Sequence, residues 1–174
     1  MSNIKNVGNE IKQSALTGVS YMLPFVVAGG ILVAIGFAGG GAVAVTESKV
    51  GFWSRIFWWG KDAFGLMVPV LSAYTAFSIA DKPALLAGFV GGVIANNIEG
   101  GFLAGLVSGI LAGYIVRYLK TIKIHSVLQS LLPILIIPVV STLVIGFLMS
   151  IIVGPPVAAL NKIMLDFLNS LQGG

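Results

Sequence analysis

Residues 13–46 read QSALTGVSYMLPFVVAGGILVAIGFAGGGAVAVT, 34 positions without a charged side chain. A helix rises about 1.5 Å per residue, so about 20 apolar residues cross a hydrocarbon core. This stretch is long enough, and it decides the fold class. Outward from it the pattern repeats. Residues 63–80, 83–98, 100–116 and 124–161 also carry no charge if His125 is neutral. The 10 basic and 6 acidic residues sit in short clusters between these runs. Soluble domains are about 25% charged, and this chain is 9%. The reading is an all-α polytopic membrane protein with about five transmembrane helices plus interfacial amphipathic helices, and the lipid bilayer is its first partner.

Composition narrows the chemistry. The chain has no cysteine and one histidine, which leaves little for a disulfide frame, a thiolate nucleophile or a metal site. No phosphate-binding glycine loop, zinc motif or nucleophile elbow is present, and no cofactor is expected. The net charge of +4 reads as flanking charge at a membrane, not as a nucleic-acid surface. The first apolar stretch far exceeds the h-region of a signal peptide.

Three parts follow along the chain. Residues 1–14 place Ile4, Val7 and Ile11 at helical spacing among Lys5, Asn9 and Lys12, which predicts a short surface helix. Residues 15–153 form a transmembrane domain. Its first span, about 18–42, contains Pro24 and is expected to kink there. Residues 46–62 gather Trp53, Trp58 and Trp59 in a polar-flanked loop, read as an interfacial aromatic belt, with stacking on a sugar as the other reading. A second span over 63–80 leads to a turn at Asp81-Lys82-Pro83. A segment at 84–97 is short for a crossing, and spans over 101–119 and 130–153 complete the set. Arg117, Lys120, Lys123 and His125 make a basic loop between the last two. Residues 154–174 form an amphipathic helix. Its apolar stripe is Val157, Leu160, Met164, Phe167 or Leu168, and Leu171, and its polar stripe is Asn161, Lys162, Asp166, Asn169 and Gln172. Six inside Lys/Arg against four outside orient the N-terminus to the cytoplasm.

Two constellations stand out. Gly101, Gly105, Gly109 and Gly113 form a column at a spacing of four, a flat ridge on which another helix backbone can approach. That helix belongs either to the same chain or to a second copy. Asn96, Asn97 and Glu99 are a polar cluster in apolar surroundings, read either as a solvated turn or as substrate contacts. Ser72, Tyr74, Thr75 and Ser78 read as glue between helices or as a pathway lining. His125 reads as an ordinary loop residue, with phosphoacceptor as the alternative.

Several strings occur together in order: TGVSYMLPFVVAGG at 17–30, GFVGG at 88–92, GFLAG at 101–105, LAGY at 111–114, PILIIP at 133–138 and PPVAALN at 155–161. In this order they resemble the fructose-specific EIIC permease of the bacterial phosphoenolpyruvate-dependent sugar phosphotransferase system. The resemblance implies a multi-pass permease of the bacterial inner membrane, a homodimer that carries a sugar. It implies EIIB and EIIA as partners, with EIIB phosphorylating the sugar. It also implies an N-terminal scaffold half and a C-terminal half that holds most of the sugar pocket. This chain looks like the scaffold half, with the C-terminal EIIC half missing. It is then not an enzyme by itself and not transport-competent alone, and no sugar-contacting residue carries over. Two other readings stand beside it. One is a small substrate-binding subunit of a vitamin-type transporter, which the scarcity of buried polar residues disfavours. The other is a structural protein that dimerises through the glycine ridge.

Overall fold

The structure is a computed structural model that describes residues 2–47, 49–122 and 131–172 of the 174. The described residues are almost entirely helical. In chain order the helices are α1 (Ser2–Gly40), α2 (Ala42–Glu47), α3 (Phe52–Gly65), α4 (Met67–Ala80), α5 (Leu85–Asn97), α6 (Gly101–Leu119), α7 (Ile137–Phe147) and α8 (Gly154–Gln172). Single π-turns, Leu132–Ile136 and Leu148–Ile152, flank α7. Four lengths are long and apolar enough to cross a membrane: Asn6–Gly40, Phe52–Ala80, Gly101–Leu119 and Leu132–Ile152. At 13 residues α5 falls short of a full crossing, as its length in the sequence suggests.

Two expectations change. The surface helix read over 1–14 and the first span are one continuous helix, because nothing between Gln13 and Gly18 breaks hydrogen bonding. Pro24 lies inside that helix without ending it. The loop read over 46–62 instead takes in the last two residues of α2 and most of α3. Arg55, Lys61 and Asp62 are tolerated there, since charged residues of opposite sign sit comfortably on an amphipathic helix. The expectations for Lys123 and His125 lie outside the described residues.

The chain divides into two compact units, residues 20–67 and residues 1–19 with 68–174. In the first unit, α1 and α3 meet through glycines. A Cβ on Gly60 would stand 2.7 Å from Val33 N, and one on Gly36 would stand 2.7 Å from Phe57 Cβ. Phe57 is buried and tilts against Phe37, with ring centres 4.9 Å apart. Trp58 carries Lys49 over its ring at 4.3 Å, which occupies a face that a sugar would need. Trp59 is exposed.

The second unit is built inside out relative to a soluble protein. Its fully buried positions are mostly small: Ala73, Ala76, Ala84, Ala87, Ala95, Ala104 and Ala112. Large apolar residues such as Ile134, Leu143 and Ile151 face outward at 76%, 70% and 61% exposure. In water that surface would drive aggregation. In lipid it costs nothing, and association then rests on close packing of small residues. Among the described residues no charged side chain is buried. The buried polar groups are hydroxyls.

Polar contacts mark both ends of this unit. Glu10 meets Arg117 and Asp81 meets Lys120 at one end, while Asn161 meets the Glu99 carbonyl at the other. The Asp81–Pro83 turn forms as the sequence predicts, with a 3-10 turn over Lys82–Ala84. Asp81 takes φ 57°, a strained value for a side chain with a Cβ.

Of the hydroxyls read as glue between helices, Thr75 bonds within its own helix and Ser72 bonds to no other helix. Thr75 Oγ1 donates to Leu71 O at 2.8 Å and Ser141 Oγ to Ile137 O at 2.6 Å, both within their own helices. Ser72 Oγ and Ser108 Oγ are buried without a partner. An unpaired buried hydroxyl costs about 1–3 kcal/mol, offset partly by the small void that its removal leaves. Ser108→Ala is therefore expected to hold or raise stability by up to about 1 kcal/mol. Thermal unfolding in detergent checks this, and a clear loss would mean that the hydroxyl has a partner.

Candidate functional site

The glycine column has a partner within the same chain. A Cβ on Gly109 would stand 2.6 Å from Ser72 O and 2.8 Å from Thr75 Cβ. On Gly105 it would stand 2.6 Å from Val68 Cγ1, and on Gly113 2.6 Å from Ile79 Cβ. The ridge of α6 therefore lies against α4, whose residues come within van der Waals contact because no side chain intervenes. Gly88 and Gly92 on α5 do the same from another side, at 2.7 Å from Ala73 Cα and 2.6 Å from Pro69 Cα. Within this chain α4 occupies the face of Gly105, Gly109 and Gly113. Gly101, the first of the column, faces Asn161 of α8 instead and has φ 58°.

Asn96, Asn97 and Glu99 lie at the turn between α5 and α6, all three exposed. The turn forms because α5 ends in a left-handed residue. Glu99 takes φ 56°, Glu99 N donates to Asn96 O, and Gly100 N donates to Ala95 O at 3.0 Å each, which satisfies the last carbonyls of α5. Glycine or asparagine normally fills such a position, so Glu99 holds it at a cost of about 1 kcal/mol. Strain of this kind collects at functional sites.

What the sequence could not show is what faces this turn. Helix α8 folds back over it, and Asn161 Nδ2 donates to the Glu99 carbonyl at 3.0 Å. A groove of about 370 Å³ opens between them, with Glu99, Lys162, Asp166 and Asn169 around a floor of Ile98, Ala158 and Ala159. The polar stripe of α8 read from the sequence thus partly lines the groove, and its apolar residues Leu160, Met164, Phe167 and Leu171 are exposed. The groove offers two carboxylates, one ammonium and one amide. That set suits a neutral ligand bearing several hydroxyls, since carboxylates accept from hydroxyls and ammonium and amide groups donate to them.

A second polar centre was missed from the sequence. Arg117, expected in a loop, lies in the last turn of α6 and pairs with Glu10 of α1. Its Nη1 donates to Glu10 Oε2 at 3.0 Å and its Nη2 to Ile79 O at 2.7 Å. Tyr114 donates its hydroxyl to the same Glu10 oxygen at 3.2 Å, and the guanidinium lies 5.2 Å from the Tyr114 ring centre. This arrangement ties three helices together.

Comparison with known proteins gives one consistent result. The family model described as phosphotransferase system, EIIC, matches residues 16–174. The chain is 39% identical, over its whole length and 49% of the relative, to fructose-like permease IIC component 2 of Escherichia coli K12. It is 42% identical to the PTS system fructose-specific EIIABC component of Bacillus subtilis 168, over 97% of the chain and 27% of the relative. It is 40% identical to the PTS system 2-O-alpha-mannosyl-D-glycerate-specific EIIABC component of Escherichia coli K12, over 98% and 27%. The chain spans about half, or less, of the length of the curated relatives it matches. No solved structure matches it.

Proposed function

The chain belongs to the EIIC family of the phosphotransferase system, and we propose on that premise that it is the scaffold part of a permease that takes up a fructose-type sugar. Uptake is coupled to phosphorylation by EIIB, itself charged by EIIA. The family match over residues 16–174 carries this reading. The tight, glycine-packed helices supply its physical basis, since a rigid platform is what a moving sugar-carrying half needs to work against. Relatives that fuse A, B and C components in one chain support EIIA and EIIB as the partners. The protein sits in the inner membrane with its N-terminus in the cytoplasm, on the Lys/Arg asymmetry. The homodimer that goes with this reading uses a face other than the ridge of α6, because α4 covers that ridge. Fructose is favoured among the sugars by the names of most of these relatives. The mannosylglycerate relative shows that this part of the sequence tolerates another substrate.

In this reading the groove at the α5–α6 turn contacts the sugar on its outer approach, with Glu99 and Asp166 accepting from its hydroxyls. Uptake of labelled fructose is the measurement. It uses cells that lack their own fructose permease and express this chain joined to the remaining half of a relative. Uptake that depends on phosphoenolpyruvate is expected, and a folded pair that transports nothing sinks the reading. Glu99→Gln weakens one charge-assisted hydrogen bond, so KM rises by about tenfold with little change in maximal rate. An unchanged KM removes the groove from the sugar's path while leaving the permease reading intact.

A further inference from the structure

At the end of the second unit opposite the α5–α6 turn, α4 and the start of the last span enclose a groove of about 570 Å³. Its walls are Phe77, Pro83, Pro133, Ile134 and Pro138, and its mouth carries Asp81 and Lys82. Three prolines keep it open. Pro138 has no N–H to return to the preceding turn, and that turn widens to a π-turn over Leu132–Ile136. Pro83 fixes the 3-10 turn that holds Lys82 at the rim.

Position gives the groove its meaning. Phe77 is one turn from the end of the Phe52–Ala80 span, and Ile134 is in the first turn of the Leu132–Ile152 span. The apolar walls therefore reach from the hydrocarbon edge to the headgroup layer. Ile134 is 76% exposed. At the mouth, Asp81 is engaged by Lys120, whose Nζ donates to Asp81 Oδ2 at 3.1 Å. Lys82 is exposed and has no ion-pair partner among the described residues. The Lys120 pair offsets the one carboxylate at the mouth, so the uncommitted charge there is positive.

We propose that this groove holds one anionic phospholipid, its phosphate on Lys82 and an acyl chain against Phe77, Ile134 and Pro138. An apolar trough with a single cationic rim matches that ligand and no purely aqueous one. A neutral hydroxylated solute would find no donor or acceptor along the walls. A free phosphate would leave the trough unfilled. Basic clefts between helices at the cytoplasmic boundary bind anionic headgroups for the same reason. The positive-inside count places this end of the helices on the cytoplasmic side, the leaflet face richest in such lipid contacts.

Native mass spectrometry of the purified, delipidated chain in detergent tests this, with phosphatidylglycerol and phosphatidylcholine of identical acyl chains. One phosphatidylglycerol is expected to be retained about fivefold more strongly than phosphatidylcholine, the discrimination of a single cation near an anionic surface. Lys82→Gln should bring the two lipids level. Ile134→Ala should lower retention of both lipids and keep their ratio. Lys61→Gln, on α3, should leave the discrimination between the two lipids unchanged. Equal retention of the two lipids by the unaltered protein, or unchanged discrimination in Lys82→Gln, overturns the proposal. Displacement of phosphatidylglycerol by millimolar inorganic phosphate also overturns it, because the site would then take phosphate alone. Ile134 and Lys82 are exposed, and an unchanged elution profile verifies that both variants fold.

Discussion

Gly109→Leu is expected to leave no monodisperse protein in detergent, a loss of more than about 3 kcal/mol. Overpacking in a core usually costs about 1–3 kcal/mol, because neighbouring side chains rotate aside. Here a Cβ meets Ser72 O at 2.6 Å, Thr75 Cβ at 2.8 Å and Ser72 Cα at 3.0 Å, atoms that are backbone or fixed to it and cannot rotate aside. The helices themselves must separate, and the fully buried Leu71, Ala73 and Ala76 of α4 lose their packing together with Ala112 of α6. Gly113→Ala adds a single carbon, yet it meets Ile79 Cβ at 2.6 Å, an atom fixed to the backbone, so it should also destabilise, though less than the larger leucine. A glycine in open space behaves in the opposite way. Gly8 has nothing within 4 Å, so Gly8→Ala should stabilise α1 by up to about 1 kcal/mol through helix propensity. Size-exclusion profiles and thermal unfolding of the three variants rank them. A Gly109→Leu protein that elutes and melts like the unaltered chain would mean that α4 and α6 do not approach as described.

The same positions show how much was legible in the sequence. Spacing alone revealed that Gly101, Gly105, Gly109 and Gly113 share one helix face, because helical periodicity is local. It could not say which backbone fills that face, because a neighbour is a tertiary fact. The turns at Asp81-Lys82-Pro83 and Asn96–Gly101 were legible for the same local reason, since proline and paired glycines constrain their own dihedrals. The 46–62 segment was misread because tryptophans and charges together resemble a headgroup-level loop. On α3 the same residues pack Phe57 inward and hold Arg55, Lys61 and Asp62 on a helix. The groove at Glu99 was half visible. Its turn was singled out, but Lys162, Asp166 and Asn169 reach it only because α8 folds back, some 60 residues later in the chain. Glu10 was passed over altogether. Its one signal is that it is the sole carboxylate before Glu47, and its partner is 107 residues away.

Arg117→Ala should then be the most damaging change of a single polar side chain, and more damaging than Glu10→Ala. Arg117 makes two bonds to the Glu10 carboxylate, one to the Ile79 carbonyl and a cation–π contact with Tyr114. Its removal leaves Glu10 with only the Tyr114 hydroxyl and leaves the Ile79 carbonyl unpaired at the end of α4. Removing Glu10 instead leaves a cation that still bonds Ile79 O and can extend its long stem towards the headgroups. Both side chains are partly exposed, at 41% and 34%, so the full cost of a broken buried pair, about 3–5 kcal/mol, does not apply. Discounted for screening, Arg117→Ala should cost about 2 kcal/mol and Glu10→Ala about 1 kcal/mol. The double variant should cost less than their sum, because each single change already breaks the shared pair. Thermal unfolding in detergent at low and high salt measures all three. Additive losses that ignore salt would show that the two side chains stand near each other without holding α1 to α6.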